Sequence, residues 1–124
     1  MRTIALLMVA ALTTMASAWA AECTIERDAV DNALRQAPSC ATAYRLFEAC
    51  AYGATGDVPL GATVQEKCEA DFVKKLDGAK KSTYRKQVAA CDRKYAKESG
   101  SMYRSFAAFC RAGIARDYSK RYSK

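Results

Sequence analysis

The stretch CDRKYAKESGSMYRSFAAFC, residues 91–110, decides the predicted fold, because a cysteine stands at each end and a turn signal lies near its middle. Cys91 is nine residues before Gly100, and Cys110 is ten residues after it. Two antiparallel helices that meet at Ser99-Gly100-Ser101 would place both cysteines about 14 Å from the bend and nearly opposite each other. A disulfide there would staple a helical hairpin.

Residues 1–20 are typical of a secretory signal peptide and precede one predicted domain, residues 21–124. An uncharged run follows Arg2 and ends in small residues with Ala-x-Ala spacing, so we expect cleavage after Ala20. An uncleaved membrane anchor is the alternative, although the Thr, Ser and Ala content makes this run weakly apolar for a span. A lipid anchor on Cys23 is disfavoured, because bacterial lipoprotein signals have a small residue directly before the lipidated cysteine, and this chain has Glu22 there.

The cysteine count points to an oxidising compartment. All six cysteines lie after the predicted signal peptide, at positions 23, 40, 50, 68, 91 and 110. An even number in an exported chain predicts three disulfides and a periplasmic or secreted protein. A metal cluster is the rival interpretation, but the chain has no histidine and no Cys-x-x-Cys. We therefore predict neither a metal nor another cofactor.

Six cysteines allow 15 connectivities, of which helix geometry removes several. Cys40 and Cys50 on one helix would be about 15 Å apart, too far for a disulfide. A first hairpin bent near Pro38 brings Cys23 opposite Cys50. This leaves Cys40 to pair with Cys68 and Cys91 with Cys110, while a Cys50–Cys68 bridge competes.

The spacing of apolar residues is helical throughout, and it predicts an all-α bundle of two antiparallel helical hairpins. A first helix is expected over 25–36 with Thr24 as its cap, and a second over 40–52. Residues 53–62, rich in glycine, are expected to form a loop. The pair Thr63 and Glu66 has the spacing of a capping box that would open the third helix.

The third helix is predicted to continue to about residue 97, because its apolar stripe keeps nearly the same phase on both sides of Asp77-Gly78. A break at that dipeptide is the alternative and would give five helices instead of four. The last helix is expected over 102–121, with a tail that frays. Its predicted core stripe is Met102, Phe106, Phe109, Cys110, Gly113, Ile114 and Tyr118.

The net charge of +7 conceals an uneven distribution. Residues 22–77 contain 10 acidic and 6 basic side chains, net −4, whereas residues 78–124 contain 3 acidic and 13 basic ones, net +10. The basic half could bind lipopolysaccharide, anionic lipid or another polyanion, and export disfavours nucleic acid. A solvated helical surface is the alternative. The candidate anion-binding residues are Lys80, Lys81, Arg85, Lys86, Arg93, Lys94, Arg104 and Arg111.

Catalytic signatures are weak. Without histidine there is no Ser-His-Asp or Cys-His arrangement and no histidine general base. Glu66, Glu69 and Asp71 cluster at the start of the predicted third helix, and the neighbouring Glu66 and Glu69 could form an acid–base pair. Acidic residues near a helix start also stabilise the helix dipole, which we favour. A carboxylate-based hydrolase is thus the third choice, and no catalytic residue is predicted.

A resemblance appears at Cys68, Leu76, Asp77 and Tyr84, spaced at +8, +9 and +16. This set resembles the cysteine-leucine-aspartate-tyrosine helix of small exported bacterial domains of the lysozyme-inhibitor type. It covers residues 68–84. The resemblance implies a helical, cysteine-bearing periplasmic domain, and some of those domains bind a cell-wall-degrading enzyme.

Together these patterns favour an exported, non-enzymatic protein that acts through protein contacts, as an inhibitor or accessory factor. Tyr52, Tyr103 and Tyr122 fall outside the predicted apolar stripes and are candidate interface anchors. The alternative function is binding of anionic envelope components by the basic C-terminal half.

Overall fold

The computed structural model describes residues 22–124, and in that range it contains helices and no strand. Short 3₁₀ turns lie at Arg27–Ala29 and Val73–Lys75. The five α-helices are α1 (Val30–Gln36), α2 (Cys40–Cys50), α3 (Asp57–Phe72), α4 (Gly78–Tyr95) and α5 (Ser101–Tyr122). The all-α prediction is confirmed. The predicted signal peptide, residues 1–20, lies outside the described residues.

The two N-terminal helices are shorter than expected. The chain enters through a 3₁₀ turn that no side chain caps, so Thr24 does not act as a helix cap. Helix α2 begins where predicted, because the Ser39 hydroxyl accepts a hydrogen bond from the Thr42 amide at 3.1 Å. It ends at Cys50, two residues early, since Ala51 is already extended.

Helix α3 starts six residues before the predicted capping box. The expected loop over 53–62 is therefore wrong in its second half, where residues 57–62 are helical. The Asp57 carboxylate is buried and accepts hydrogen bonds from the amides of Tyr52 at 2.7 Å and Gly53 at 2.9 Å. Pro59 lies in the first turn, where its missing N–H costs nothing.

Thr63 consequently lies inside α3 and caps nothing. Its hydroxyl is buried and donates a hydrogen bond to Asp31 Oδ1 at 2.5 Å, which ties α3 to α1. Glu66 is exposed one turn further on. The capping-box assignment failed because a threonine three residues before a glutamate also occurs within helices.

The favoured single helix from 63 to 97 is wrong, and the alternative with a break is what the structure has. Helix α3 ends at Phe72, and after the 3₁₀ turn Leu76 is extended with ψ 139°. Asp77 then caps α4, because its carboxylate accepts a hydrogen bond from the Lys80 amide at 2.8 Å. Leu76 is buried, as the apolar stripe predicted, although it lies between two helices and not within one.

The buried face of α5 also differs from the prediction. The expected stripe of large residues is not the buried face of this helix, and Met102 and Phe106 are 48% and 43% exposed. The face that packs on α3 consists of small residues, namely Ser105, Ala108, Ala112, Ala115 and Ser119. Of the predicted stripe, Phe109, Ile114 and Tyr118 are partly buried at the edge of the core.

Small residues face each other because α3 and α5 lie very close together. A methyl group placed on Gly61 of α3 would lie only 2.9 Å from the Cβ of Ala108. Hydroxyl–carboxylate hydrogen bonds of 2.6 Å connect Ser105 to Asp57 and Ser119 to Asp71. Both pairs are 48 residues apart in sequence, so the two helices run parallel.

The disulfides tie the helices together in the predicted pairing. Cys23–Cys50, Cys40–Cys68 and Cys91–Cys110 have Cα separations of 4.7, 4.8 and 5.7 Å, and the competing Cys50–Cys68 bridge is not formed. The first two bridges hold the α1–α2 hairpin and fasten it to α3. The third joins α4 to α5, the second hairpin.

The C-terminal tail is ordered as helix, contrary to the expected fraying. Helix α5 continues to Tyr122, and Ser119 is buried. The Tyr122 ring packs against Tyr118 with ring centres 5.6 Å apart. These contacts hold the last turn against the body of the protein.

Candidate functional site

The second hairpin contains a largely exposed helix, α4. Helix α4 has 18 residues, yet only Tyr84 and Cys91 are buried. Its packing is almost entirely against α5. Because one neighbour covers only one side of a helix, most of the α4 surface faces solvent, and this hairpin is the candidate site.

Apolar side chains gather where the hairpin turns. We call Tyr95, Met102, Tyr103 and Phe106 the tip patch. Phe106 lies 5.9 Å from the rings of both Tyr95 and Tyr103, which are 6.2 Å apart. Gly100 allows the tight turn that brings them together, because its φ of +114° is disfavoured for other residues. Met102 and Phe106 remain largely exposed.

A groove with a volume of about 470 Å³ runs between α4 and α5, and we call it the hairpin groove. Its floor is apolar and consists of Ala90, the Cys91–Cys110 disulfide, Ile114 and Tyr118. The cationic side chains Lys94 and Arg121 also line it. This volume lies within the usual range of ligand pockets.

The predicted anion-binding residues do not converge on one point. Three of them are engaged within the chain: Lys80 lies 3.5 Å from Asp77, Arg111 pairs with Asp92, and Arg104 donates to the Glu98 carbonyl at 3.3 Å. The other five make no ion pair within residues 22–124, namely Lys81, Arg85, Lys86, Arg93 and Lys94.

The five cations without ion pairs lie on different sides of α4. Successive helical residues are turned by about 100°, so Arg93 and Lys94 point in clearly different directions. Only Lys94 of this set lines the hairpin groove. The arrangement is a diffuse positive field with no single cleft that would enclose an anion.

The three carboxylates considered for catalysis also separate. Glu69 accepts hydrogen bonds from the Tyr84 hydroxyl at 2.6 Å and from Gln65 at 2.8 Å. Asp71 is occupied by Ser119, and Glu66 lies 4.0 Å from Arg35 on another side of α3. Each carboxylate therefore has its own structural partner, and no two of them share a site.

Tyr84 links the hairpin to α3. Burial and the hydrogen bond to the Glu69 carboxylate both raise the pKa of this phenol above its ordinary value. The hydroxyl therefore keeps its proton and remains a donor. Tyr84 also contacts Phe72 edge to face with ring centres 5.1 Å apart, so it anchors the base of α4.

Cysteine chemistry and metal binding have no visible site in the described chain. All six cysteines form disulfides, and a disulfide sulfur is neither a thiolate nucleophile nor a metal ligand. Residues 22–124 contain no group of three or more His, Cys, Asp or Glu side chains placed to hold a metal ion. Over the same range, none of the helices has the length and apolarity that a membrane span requires.

The three tyrosines expected to be interface anchors have different surroundings. Tyr52 is 46% exposed, with the Arg27 guanidinium 4.1 Å from its ring centre. Tyr103 belongs to the tip patch. Tyr122 packs against the body of the protein. Only Tyr103 lies in a cluster of apolar side chains that faces solvent.

Met102 and Phe106 were predicted in the core, but both are surface residues. A signal for the correct face was present. Ser105, Ala108, Ala112, Ala115 and Ser119 follow the alternating 3- and 4-residue spacing of a helix that packs closely on another. Had this small-residue stripe been taken as the buried face, the large apolar residues would have been predicted on the surface.

The residues that carry the lysozyme-inhibitor resemblance do not share one helix. Cys68 lies in α3, Leu76 in the connection, and Tyr84 in α4, with Asp77 as the cap between them. The spacing of these residues therefore reflects a helix–cap–helix arrangement. Comparison with known proteins gives no match to any family model, any curated protein or any solved structure.

Proposed function

We propose that this chain is an exported, non-enzymatic helical protein that acts through protein–protein contacts, as an inhibitor or accessory factor of the cell envelope. The observation that carries the proposal is the tip patch. Met102 and Phe106 leave nearly half of their surface in water, although both are large and apolar. Aromatic residues and methionine are enriched in protein interfaces, where such surface becomes covered.

Export is supported by two independent features. The expected signal peptide precedes the domain, and the domain contains three disulfides. Disulfides persist in the periplasm and outside the cell and are rare in the cytosol. We therefore place the protein in the periplasm or the medium.

A cell-wall-degrading enzyme is the partner class that the sequence resemblance suggests. The resemblance rests on the α3–α4 connection, whereas the tip patch is at the opposite end of α4. Partner binding through the tip patch would leave that connection free. The identity of the partner is thus a separate question from the surface that binds it.

The test is a crosslinking pull-down from the envelope fraction of the source organism. We expect the double variant Met102→Ser with Phe106→Ser to lose the crosslinked partner, because it removes the exposed apolar surface. Tyr52→Ser is the matched control, since it removes another exposed aromatic residue outside the tip patch. Equal capture by both variants would refute the tip patch as the binding surface.

A second candidate function, binding of an anionic envelope component, is favoured by the five cations without ion pairs. Such binding would be mainly electrostatic and would be screened by salt. The variant with glutamate at positions 85, 86, 93 and 94 should fold normally, because all four native side chains are exposed. Unchanged retention of this variant on heparin or lipopolysaccharide would remove the candidate.

A further inference from the structure

The hairpin groove lies on a side of the second hairpin that no other helix of residues 22–124 covers. Ala90, Lys94 and Arg121 are exposed, and Cys110 and Ile114 are partly exposed. The other sides of α5 are occupied by α3 and α2. The groove between α4 and α5 therefore has space for a further packed element.

An apolar stripe leads from the tip patch into this groove. Met102, Phe106, Cys110 and Ile114 follow one another at intervals of four residues, so they lie along one side of α5. From Phe106 to Arg121 the surface is about 22 Å long, the length of a helix of about 15 residues. A groove between two helices, lined by apolar groups at this spacing, is the kind of surface that an amphipathic helix packs into.

The charged side chains around the groove determine whether an acidic or a basic partner would bind there. Lys94 and Arg121 have no ion-pair partner within the described residues, and their side chains rest near the rings of Tyr95 and Tyr118. The acidic lining residue Asp117 is neutralised by Arg116 at 3.0 Å. The groove therefore presents positive charge at its rim.

The second hairpin of another copy of this chain is a poor occupant for the same reason. Residues 78–124 contain 13 basic and 3 acidic side chains, net +10. Two such hairpins packed groove to groove would bring like charges together, which costs free energy. An acidic partner would gain from the same charges.

We propose that the hairpin groove binds an acidic amphipathic helix of the partner protein. The apolar face of that helix would cover Ile114 and the Cys91–Cys110 disulfide, and its carboxylates would face Lys94 and Arg121. This inference rests on the proposed function, namely action through protein contacts, and it specifies which structural element of the partner is recognised.

The test uses a fluorescently labelled synthetic 15-residue helical peptide with leucines along one face and glutamates elsewhere. One control peptide has lysine in place of every glutamate. A second has the same composition as the acidic peptide, with the leucines distributed so that no apolar face forms. Fluorescence anisotropy against the oxidised mature protein should show binding of the acidic amphipathic peptide, and binding of each control at least about tenfold weaker.

Two pairs of neighbouring variants locate the site. Ala90→Glu introduces a charged side chain into the groove, whereas Ala89→Glu makes the same change at an exposed position that does not line it. Lys94→Glu and Arg93→Glu form a second pair on the same principle. We expect the changes at 90 and 94 to weaken peptide binding about tenfold or more, and those at 89 and 93 to change it by less than about threefold.

Four outcomes would overturn the proposal. These are no binding of the acidic peptide up to about 1 mM, equal binding of the lysine peptide, and equal effects of the variants at 89 and 90. The fourth is binding of anionic phosphatidylglycerol vesicles, but not of the peptide, that Ala90→Glu abolishes. If the peptide fails while partner capture still depends on Met102 and Phe106, the groove inference is wrong and the proposed function stands. If capture is insensitive to the tip patch, the proposed function fails independently.

Discussion

The Cys91–Cys110 disulfide should be the main attachment of α4, and its removal gives the sharpest test of the second hairpin. The perturbation is the double variant Cys91→Ala with Cys110→Ala. Alanine is preferred to serine because Cys91 is 2% exposed, and a serine hydroxyl there would be buried. Apart from the bridge, Tyr84 is the one buried side chain of α4.

The magnitude follows from the 19 residues that separate the two cysteines. A cross-link over a loop of that length restricts the unfolded chain by roughly 3 kcal/mol. For a domain of this size, each kcal/mol corresponds to about 4 to 8 °C in Tm, so the loss should be about 12 to 24 °C. This is a large part of the stability of a small domain, which is usually about 5 to 15 kcal/mol.

Urea unfolding measures the global loss, and amide hydrogen exchange shows where it arises. We expect faster exchange in residues 86–95 of α4 and little change in α2 and α3. Cys91 is the one buried side chain in that half of the helix, and the other contacts, the Asp92–Arg111 pair and the Tyr95–Phe106 packing, lie nearer the surface. The variant with alanine at Cys23 and Cys50 is the control, since it opens a bridge with a separation of 27 residues but leaves α4 attached. An unchanged Tm together with unchanged exchange in α4 would refute the assignment of the bridge as the main attachment.

Three further predictions test the packing of α3. Gly61→Val should lower the free energy of unfolding by about 1 to 3 kcal/mol in a urea titration, because the new side chain would collide with Ala108; wild-type stability would disprove the close α3–α5 contact. Asp57→Ala should cost about 3 kcal/mol, since two loop amides and a buried hydroxyl lose their acceptor; a cost below about 1 kcal/mol would contradict this role. The hydrogen bond from Thr63, and to a smaller extent the one from Arg35, lowers the pKa of Asp31 below its ordinary 3.8. The ionised Asp31 carboxylate should therefore stabilise the folded state above pH 3.8, and this stabilisation should be lost as the pH falls through the lower folded-state pKa. Thr63→Val should weaken this acid sensitivity in thermal unfolding measured between pH 2 and 5, and an unaltered pH dependence would argue against it.

The sequence by itself determined the helical class, because this depends on spacing along the chain. It favoured the disulfide pairing that the structure has, but left a Cys50–Cys68 bridge as a competitor. Apolar residues at 3- and 4-residue intervals predict helices without knowledge of their neighbours. The pairing followed from cysteines placed symmetrically about turns, as at Gly100, and from the fixed rise per residue that separates two cysteines on one helix. These constraints are local, and the structure agrees with them.

The tertiary structure decided which of two helical stripes of α5 is buried, the large apolar one or the small-residue one, and where α3 begins and ends. The apolar pattern predicted the largest residues of α5 in the core, but the approach of Gly61 to Ala108 leaves room only for small side chains. At the start of α3, the Asp57 carboxylate accepts a hydrogen bond from the hydroxyl of Ser105, 48 residues away, a contact that local sequence patterns do not report. Exposure of Met102 and Phe106, and with it the candidate interface, is thus a consequence of how closely two distant helices pack.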